Sequence, residues 1–415
     1  MKLTKLVLAS IAFAIVCSAD AAELGESITF RSFGSVAAVH SDTDQADFFN
    51  AIAISPEGPG RTESVSWNSG SKFAGQVDWT ISDRFSATAQ TLVKQYEDGE
   101  WKPRMEWAYV KYNASNELDI RVGRIRPPVY MLSDFLDVNF ANPWVRPPTE
   151  QYYNIPVTNM DGIDFLWRPD FAGFSWLVQP YYGEKDLDTT TEGEYVGIEN
   201  FGLNLSASKG DFTYRFGYWD ADLEMEIAAF KQADAGLQQI CLGFGDPVAC
   251  EQYELLNLQD INYRFLSAGL TWDRGDYFVQ SEFGRAISNS TTVADSTAYY
   301  VTGGMRLNLW TPFLSYSNFD NRMPANITES MIPTVNSIAL GVLAANAQSQ
   351  STVSAGVRYD ILPTVSLKAQ WDHSMTSDCS GNARTCRGMF GRSTDTFKAT
   401  EQDVNLISIA VDFIF

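Results

Sequence analysis

The chain is 415 residues long, carries a formal net charge of −21 at pH 7, and is 45% hydrophobic and 20% charged. Its 26 Phe, 18 Tyr and 11 Trp exclude a disordered chain despite that charge. So acidic a balance, with no Lys/Arg-rich patch, excludes nucleic acid as a partner. The two histidines, His40 and His373, leave little room for a His-rich metal site or His-dependent catalysis, so no cofactor or metal is expected.

The N-terminus reads as a secretory signal. Lys2 and Lys5 precede an apolar stretch, Leu6 to Val16, broken by Ser10 alone, and Ala19-Asp20-Ala21 fits the small-x-small cleavage pattern. Residues 1–21 are read as the leader and 22–415 as the exported domain. A lipid anchor on Cys17 is the alternative, but it puts bulky Val16 where a small residue usually stands. Beyond residue 22 no run approaches the roughly 18 apolar residues of a membrane helix. The exported chain is therefore soluble or crosses a membrane as a barrel.

Period two dominates the exported chain. Phe73, Gly75, Val77, Trp79 and Ile81 alternate with Lys72, Ala74, Gln76, Asp78 and Thr80, and Val365, Leu367, Ala369 and Trp371 alternate with Ser366, Lys368, Gln370 and Asp372. Phe212 to Trp219 and Tyr299 to Leu307 repeat the pattern of one apolar and one largely polar face. Strand centres fall near residues 33, 77, 90, 108, 121, 165, 178, 203, 215, 266, 281, 302, 314, 356, 368 and 408, which makes about sixteen. The parity conflicts around Arg264, predicting a bulge or a strand that continues into its loop, and Trp107 to Tyr112 is ambiguous in the same way.

The connections discriminate between a soluble sheet and a membrane barrel. Those after even-numbered strands are short, at 82–83, 113–117, 168–173, 208–211, 273–276, near 308 and at 360–364. Those after odd-numbered strands are mostly long, at 40–65, 126–160, 183–196, 222–255, 318–351 and 375–401, with brief ones at 97–102 and 288–295. A soluble sandwich has no need of this alternation. Periplasmic turns and external loops of an outer-membrane barrel produce it. The expected fold is thus all-β, a transmembrane antiparallel β-barrel with both termini on the periplasmic side.

Cys241 and Cys250, and Cys379 and Cys386, are two close pairs that fall in external loops, and local disulfides are expected in an exported chain. Acids gather in those loops as well, as in Glu184, Asp186, Asp188, Glu192 and Glu194. At the C-terminus Ile407, Ile409, Val411, Phe413 and Phe415 share one strand face. The last strand has to seal the barrel, so its lipid face is apolar and its end aromatic. This segment resembles the assembly signal that barrel-insertion machinery reads.

The mature chain as a whole resembles the sixteen-stranded porins of Gram-negative bacteria. Ile28-Thr29-Phe30-Arg31-Ser32-Phe33-Gly34-Ser35 is similar to the first strand of proteobacterial porins. Arg121-Val122-Gly123-Arg124-Ile125-Arg126-Pro127-Pro128, followed by Asn142-Pro143-Trp144-Val145-Arg146-Pro147-Pro148, resembles the strand and third loop of a porin-like group. The Pro-Glu-Phe-Gly-Gly stretch of many general porins is absent. The resemblance implies a third loop, Arg126 to Met160, folded into the pore, a homotrimer, and a setting of outer-membrane lipid and lipopolysaccharide.

With apolar residues facing lipid, the opposite parity points Arg31, Lys72, Lys94, Arg121, Arg168, Arg215, Arg306, Arg358 and Lys368 inward. Inward acids are Asp78, Asp119, Asp164, Glu282, Asp360 and Asp372. A guanidinium on the lipid face at mid-membrane costs roughly 2–4 kcal/mol, which requires the lumenal placement. Lumenal bases attract permeating anions. Arg121, Arg124 and Arg126 lead into the third loop, which supplies the opposing Asp134 and Asp137, with Ser133 as N-cap of a short turn, and Glu150. These residues are the expected constriction, although several charges also suit cross-strand pairs that stiffen the wall. Trp144, Tyr152 and Tyr153 suit loop anchoring better than a stacking slide for sugars.

The function expected is a water-filled channel for passive diffusion of small hydrophilic solutes or ions, with weak or no anion preference. A substrate-specific channel of anion or sugar type is the runner-up, ahead of a plugged structural or adhesive barrel. A rim-site enzyme is disfavoured: His373 and Ser374 are strand neighbours, which point to opposite faces.

Overall fold

The computed structural model describes residues 27–415 except 50–56, 97, 153, 154, 156, 189–193, 257, 322–327, 347 and 378–386. The proposed leader, Tyr153, Glu192, Cys379 and Cys386 lie outside the described residues. Sixteen long antiparallel strands form one closed sheet. They are β1 Ile28–Ser41, β2 Lys72–Thr80, β3 Phe85–Gln95, β4 Trp101–Asn113, β5 Leu118–Ile125, β6 Met160–Trp167, β7 Phe174–Asp188 and β8 Tyr195–Lys209. The second half holds β9 Phe212–Glu226, β10 Ile261–Asp273, β11 Tyr277–Ser288, β12 Ser296–Met305, β13 Trp310–Asn321, β14 Ser349–Leu362, β15 Val365–Thr376 and β16 Asp403–Ile414. Two-residue pairings at Val65–Ser66 and Asp170–Phe171 extend hairpins. Every strand centre read from the sequence falls inside one of the sixteen.

The barrel closes where β1 meets β16, in unbroken register from Phe33↔Ile414 to Ser41↔Leu406. The final residue takes part: Phe415 N donates to Ser32 O and Ser32 N to Phe415 O, both at 2.8 Å. Phe413 lies across the seam, 6.1 Å from the Phe73 ring, over Gly34, where an added Cβ would stand 2.5 Å from Phe413 Cζ. Val411 is exposed on the same outer face, beside Ile407 and Ile409. Rings ride near the short turns, with Phe85 against Tyr112 at 5.0 Å and Trp310 against Tyr359 at 4.4 Å, as an interfacial girdle requires.

Two parity problems in the sequence have different physical origins. In β4 the pairing to β3 jumps from Gln90↔Trp107 to Thr91↔Met105, so Glu106 is the extra residue of a bulge. The bulge restores inward aim to Tyr109 and Lys111 below it while Lys102 and Arg104 face inward above it. Around Arg264, in contrast, β10 pairs regularly with β9 from Phe212↔Trp272 to Leu223↔Ile261. There is no bulge; the strand simply continues toward its loop, and Arg264 stays outside, its Nε 3.3 Å from Asp220 Oδ2.

In that outer extension the usual arrangement inverts. Trp219, Leu223, Met225, Ile261, Tyr263 and Phe265 point inward and are buried, while Asp220, Asp222, Glu224 and Glu226 face out. The inner apolar face is covered by helices from two loops, Ala228–Phe244 with Pro247–Leu256 and Pro333–Asn346, through Leu237, Ala249, Leu256, Val335 and Val342. A Cys241–Cys250 disulfide staples the first two helices. Glu184, Asp186 and Asp188, expected in a loop, lie on β7, because β7 and β8 each run for 15 residues. On the opposite side Phe48, Phe390 and Phe397 pack with Val404 and Leu406 over the mouth.

Candidate functional site

The third external connection leaves β5 at Arg126 and re-enters the wall at Met160, and it folds into the lumen. Basic side chains of the distant wall hold its backbone. Arg215 donates to the carbonyls of Pro128 and Val129, Arg358 to that of Phe140, and Lys368 to those of Asn139 and Trp144. Lys368 and its ion-pair partner Asp412 (2.7 Å) both have fully enclosed side chains, 0% exposed. A buried ammonium is tolerable only when paired and hydrogen-bonded, and Lys368 is ion-paired to Asp412 and donates to two loop carbonyls. Arg215 and Lys368 are therefore inward-facing, as their parity required, but they serve as loop clamps.

The loop is pinned along its length. Arg126 binds Asp137 at 2.7 Å and Glu106 at 3.1 Å, and Lys72 reaches Asp137 at 3.2 Å. Burial works to raise the Asp137 carboxyl, yet Lys72 and Arg126 hold it well below the usual carboxylate range. Arg146, in the second Arg-Pro-Pro of the loop, pairs with Asp372 and donates to Ser408 Oγ at 2.7 Å. Glu150 is buried, accepting from Ser317 Oγ, Gln350 Nε2 and Thr352 Oγ1. Tyr152 donates to Glu282 Oε2 at 2.8 Å, and Trp144 packs edge-on to Tyr300. Both aromatics are anchors. Ser133 does not cap: it is the first residue of the 3-10 turn Ser133–Phe135, and its Oγ accepts from Tyr130 N.

Among the described loop residues only Asp134, Phe135 and Ala141 are exposed. Asp134 lies in electrostatic range of Arg121, which is bound to Asp164 through Nε at 2.9 Å and through NH2, and which sits 5.2 Å from the Tyr109 ring. Arg124 does not join them. Its parity is that of Val122, which is 56% exposed on the outer face, and it pairs outside the barrel with Asp161 at 2.6 Å. The sequence placed Arg124 at the constriction because Arg121, Arg124 and Arg126 are neighbours in the chain; alternation puts Arg124 on the other side of the wall.

The accessible lumen is one-sided. From β9 through β16 the inward side chains at the level of the loop are nearly all buried, whereas Lys72, Gln76, Lys94, Lys102, Arg104, Trp107, Tyr109 and Lys111 on β2–β4 are partly open. Lys72, Lys94 and Lys102 stand directly opposite one another on three adjacent strands. Near the periplasmic turns the charges are paired, Arg31 with Asp78, Arg168 with Asp119, Arg306 with Asp273 and Arg358 with Asp360. Sequence parity missed Lys102, Arg104, Trp107, Tyr109 and Lys111, because the bulge that aims them shows in the pattern only as the ambiguity over Trp107 to Tyr112, which does not say where the register shifts. No group of His, Cys, Asp and Glu among the described residues is arranged to hold a metal ion. His40 donates to Ser64 O at 2.5 Å and His373 contacts Asn405, both on the outer face.

A closed sixteen-stranded barrel with an infolded third loop is the architecture of Gram-negative outer-membrane porins, and the chain is structurally related to them. OmpT of Vibrio cholerae, in its trimer form, superposes with a TM-score of 0.54 at 12% identity, over 94% of this chain and 100% of that one. The outer membrane channel DcaP of Acinetobacter baumannii gives 0.55 at 9% identity, over 95% and 99%. An anion-selective porin from Comamonas acidovorans gives 0.52 at 11% identity, over 94% and 99%. No family model and no curated protein sequence matches the chain.

Proposed function

We propose that the protein is an outer-membrane diffusion channel for small hydrophilic solutes that prefers anions. The cross-strand row Lys72–Lys94–Lys102 carries this reading. Like charges directly opposite on neighbouring strands destabilise a sheet, and here three face the lumen together. Asp137 compensates Lys72 and Asp98 compensates Lys102, while no carboxylate among the described residues pairs with Lys94. The path runs between the Asp134–Phe135 edge of the loop and the β2–β5 wall, off the barrel axis. Anions entering there meet a surplus of positive charge in a confined, low-dielectric surround, which raises their local concentration.

The test is the zero-current potential of the refolded protein in a planar bilayer under a salt gradient. An anion-side potential that moves toward the cation side in Lys94→Gln supports the reading. A cation-side potential in the parent protein, or none of the shift, removes it. Triplet conductance steps in the same record would report three pores per particle.

A further inference from the structure

Strand β4 presents the lumen with an ordered set of side chains: Lys102 and Arg104 toward the external end, then Trp107 and Tyr109, then Lys111 toward the periplasm. The Glu106 bulge is what makes this order possible. Without it, Ala108, Val110 and Tyr112 would face inward and Lys111 would face lipid. Those three now lie outside, with Val110 46% exposed. Bulges recur where a strand has to re-aim a side chain at a functional site.

Trp107 and Tyr109 have ring centroids 6.2 Å apart, tilted by 52°, and both are partly open on the accessible side of the lumen. Cations already seek aromatic faces in this sector. Arg104 lies 3.9 Å and Lys94 5.4 Å from the Tyr96 ring, and Arg121 lies 5.2 Å from Tyr109. On the facing edge of the loop, Phe135 is 38% exposed beside Asp134. Two residues on from Tyr109, about 7 Å along the strand, Lys111 has no carboxylate partner among the described residues.

We infer that the β4 wall is a binding site for small aromatic carboxylates, which rest the ring on Trp107 and Tyr109 and hold the carboxylate at Lys111. A carboxylate alone would find the lysines anywhere in the row. A ring alone would find little to rest on along the remaining wall, whose inward side chains at the level of the loop are nearly all buried. Here a π face open to the lumen and an ammonium with no carboxylate partner among the described residues lie within one small molecule's length. The inference deepens the anion-preferring reading and rests on it.

The experiment measures current interruptions in single channels with acetate, cyclohexanecarboxylate and benzoate added in turn at equal concentration. Benzoate is expected to bind about tenfold more tightly than either of the others. Tyr109→Leu, which keeps an apolar side chain but loses the π face, should abolish the advantage of benzoate over cyclohexanecarboxylate. Lys111→Gln should weaken benzoate and acetate together. Benzoate and cyclohexanecarboxylate interrupting alike would overturn the aromatic site, whatever the potential. A cation-side potential would instead remove the channel's anion preference, and the two failures are read on different axes.

Discussion

Arg126 and Asn159, the two feet of the infolded loop, are held by a single oxygen: Arg126 NH2 and Asn159 Nδ2 each donate to Glu106 Oε2 at 3.1 Å. Glu106 is the extra residue of the β4 bulge, so the feature that aims the lumenal wall also fixes the loop that faces it. Constriction geometry therefore depends on a residue that touches neither the free edge of the loop nor the exposed bases.

Glu106→Ala should loosen both feet at once. Arg126 keeps Asp137, so the cost is that of one charged hydrogen-bond set, about 1–3 kcal/mol. The expected outcome is a lower heat-modifiability midpoint on gels and a rise in open-channel current noise. Quiet channels with unchanged midpoint would mean that Asp137 alone anchors the loop.

Arg124→Ala should leave the zero-current potential where it is. The residue lies outside the wall in a partly exposed pair with Asp161, worth at most about 1 kcal/mol. A shift toward cations comparable to that of Lys94→Gln would contradict the assigned face of β5.

Substituting Gly34 tests the seam. An added Cβ would meet Phe413 at 2.5 Å and the Lys72 carbonyl at 3.0 Å, so Gly34→Val overpacks the closing strand pair by about 1–3 kcal/mol. Slower refolding into detergent micelles and a lower midpoint are expected. The companion variant Phe413→Leu, which vacates the ring, should recover part of the loss in combination with Gly34→Val.

The Cys241–Cys250 bridge closes a short segment between two loop helices, far from the β1–β16 seam. Replacing both cysteines by serine should expose the Ala228–Leu256 region to limited proteolysis while leaving the barrel midpoint within error. A barrel that loses its own resistance to heat in this variant would show that the helical cap supports the wall.

Much of this architecture is a local property of the chain. A strand with lipid on one side and water or polar protein on the other must alternate, and alternation is visible over eight residues, as in Phe73 to Thr80. Loop parity follows from the requirement that an even barrel close on itself. Strand number, membrane face and seam were legible for that reason. The roles of the inward bases were not. Arg215, Arg358 and Lys368 share the parity of Lys94, yet the first three meet carbonyls of a loop more than 80 residues away and Lys94 meets open lumen. Arg124 shared the chain neighbourhood of Arg121 and lost its place to a one-residue change of face. A bulge adds a single residue with no composition signal, so the Lys102-to-Lys111 ladder existed only once β3 and β4 had paired. Alternation is decided between a residue and its solvent; partnership is decided between segments that only the closed barrel brings together.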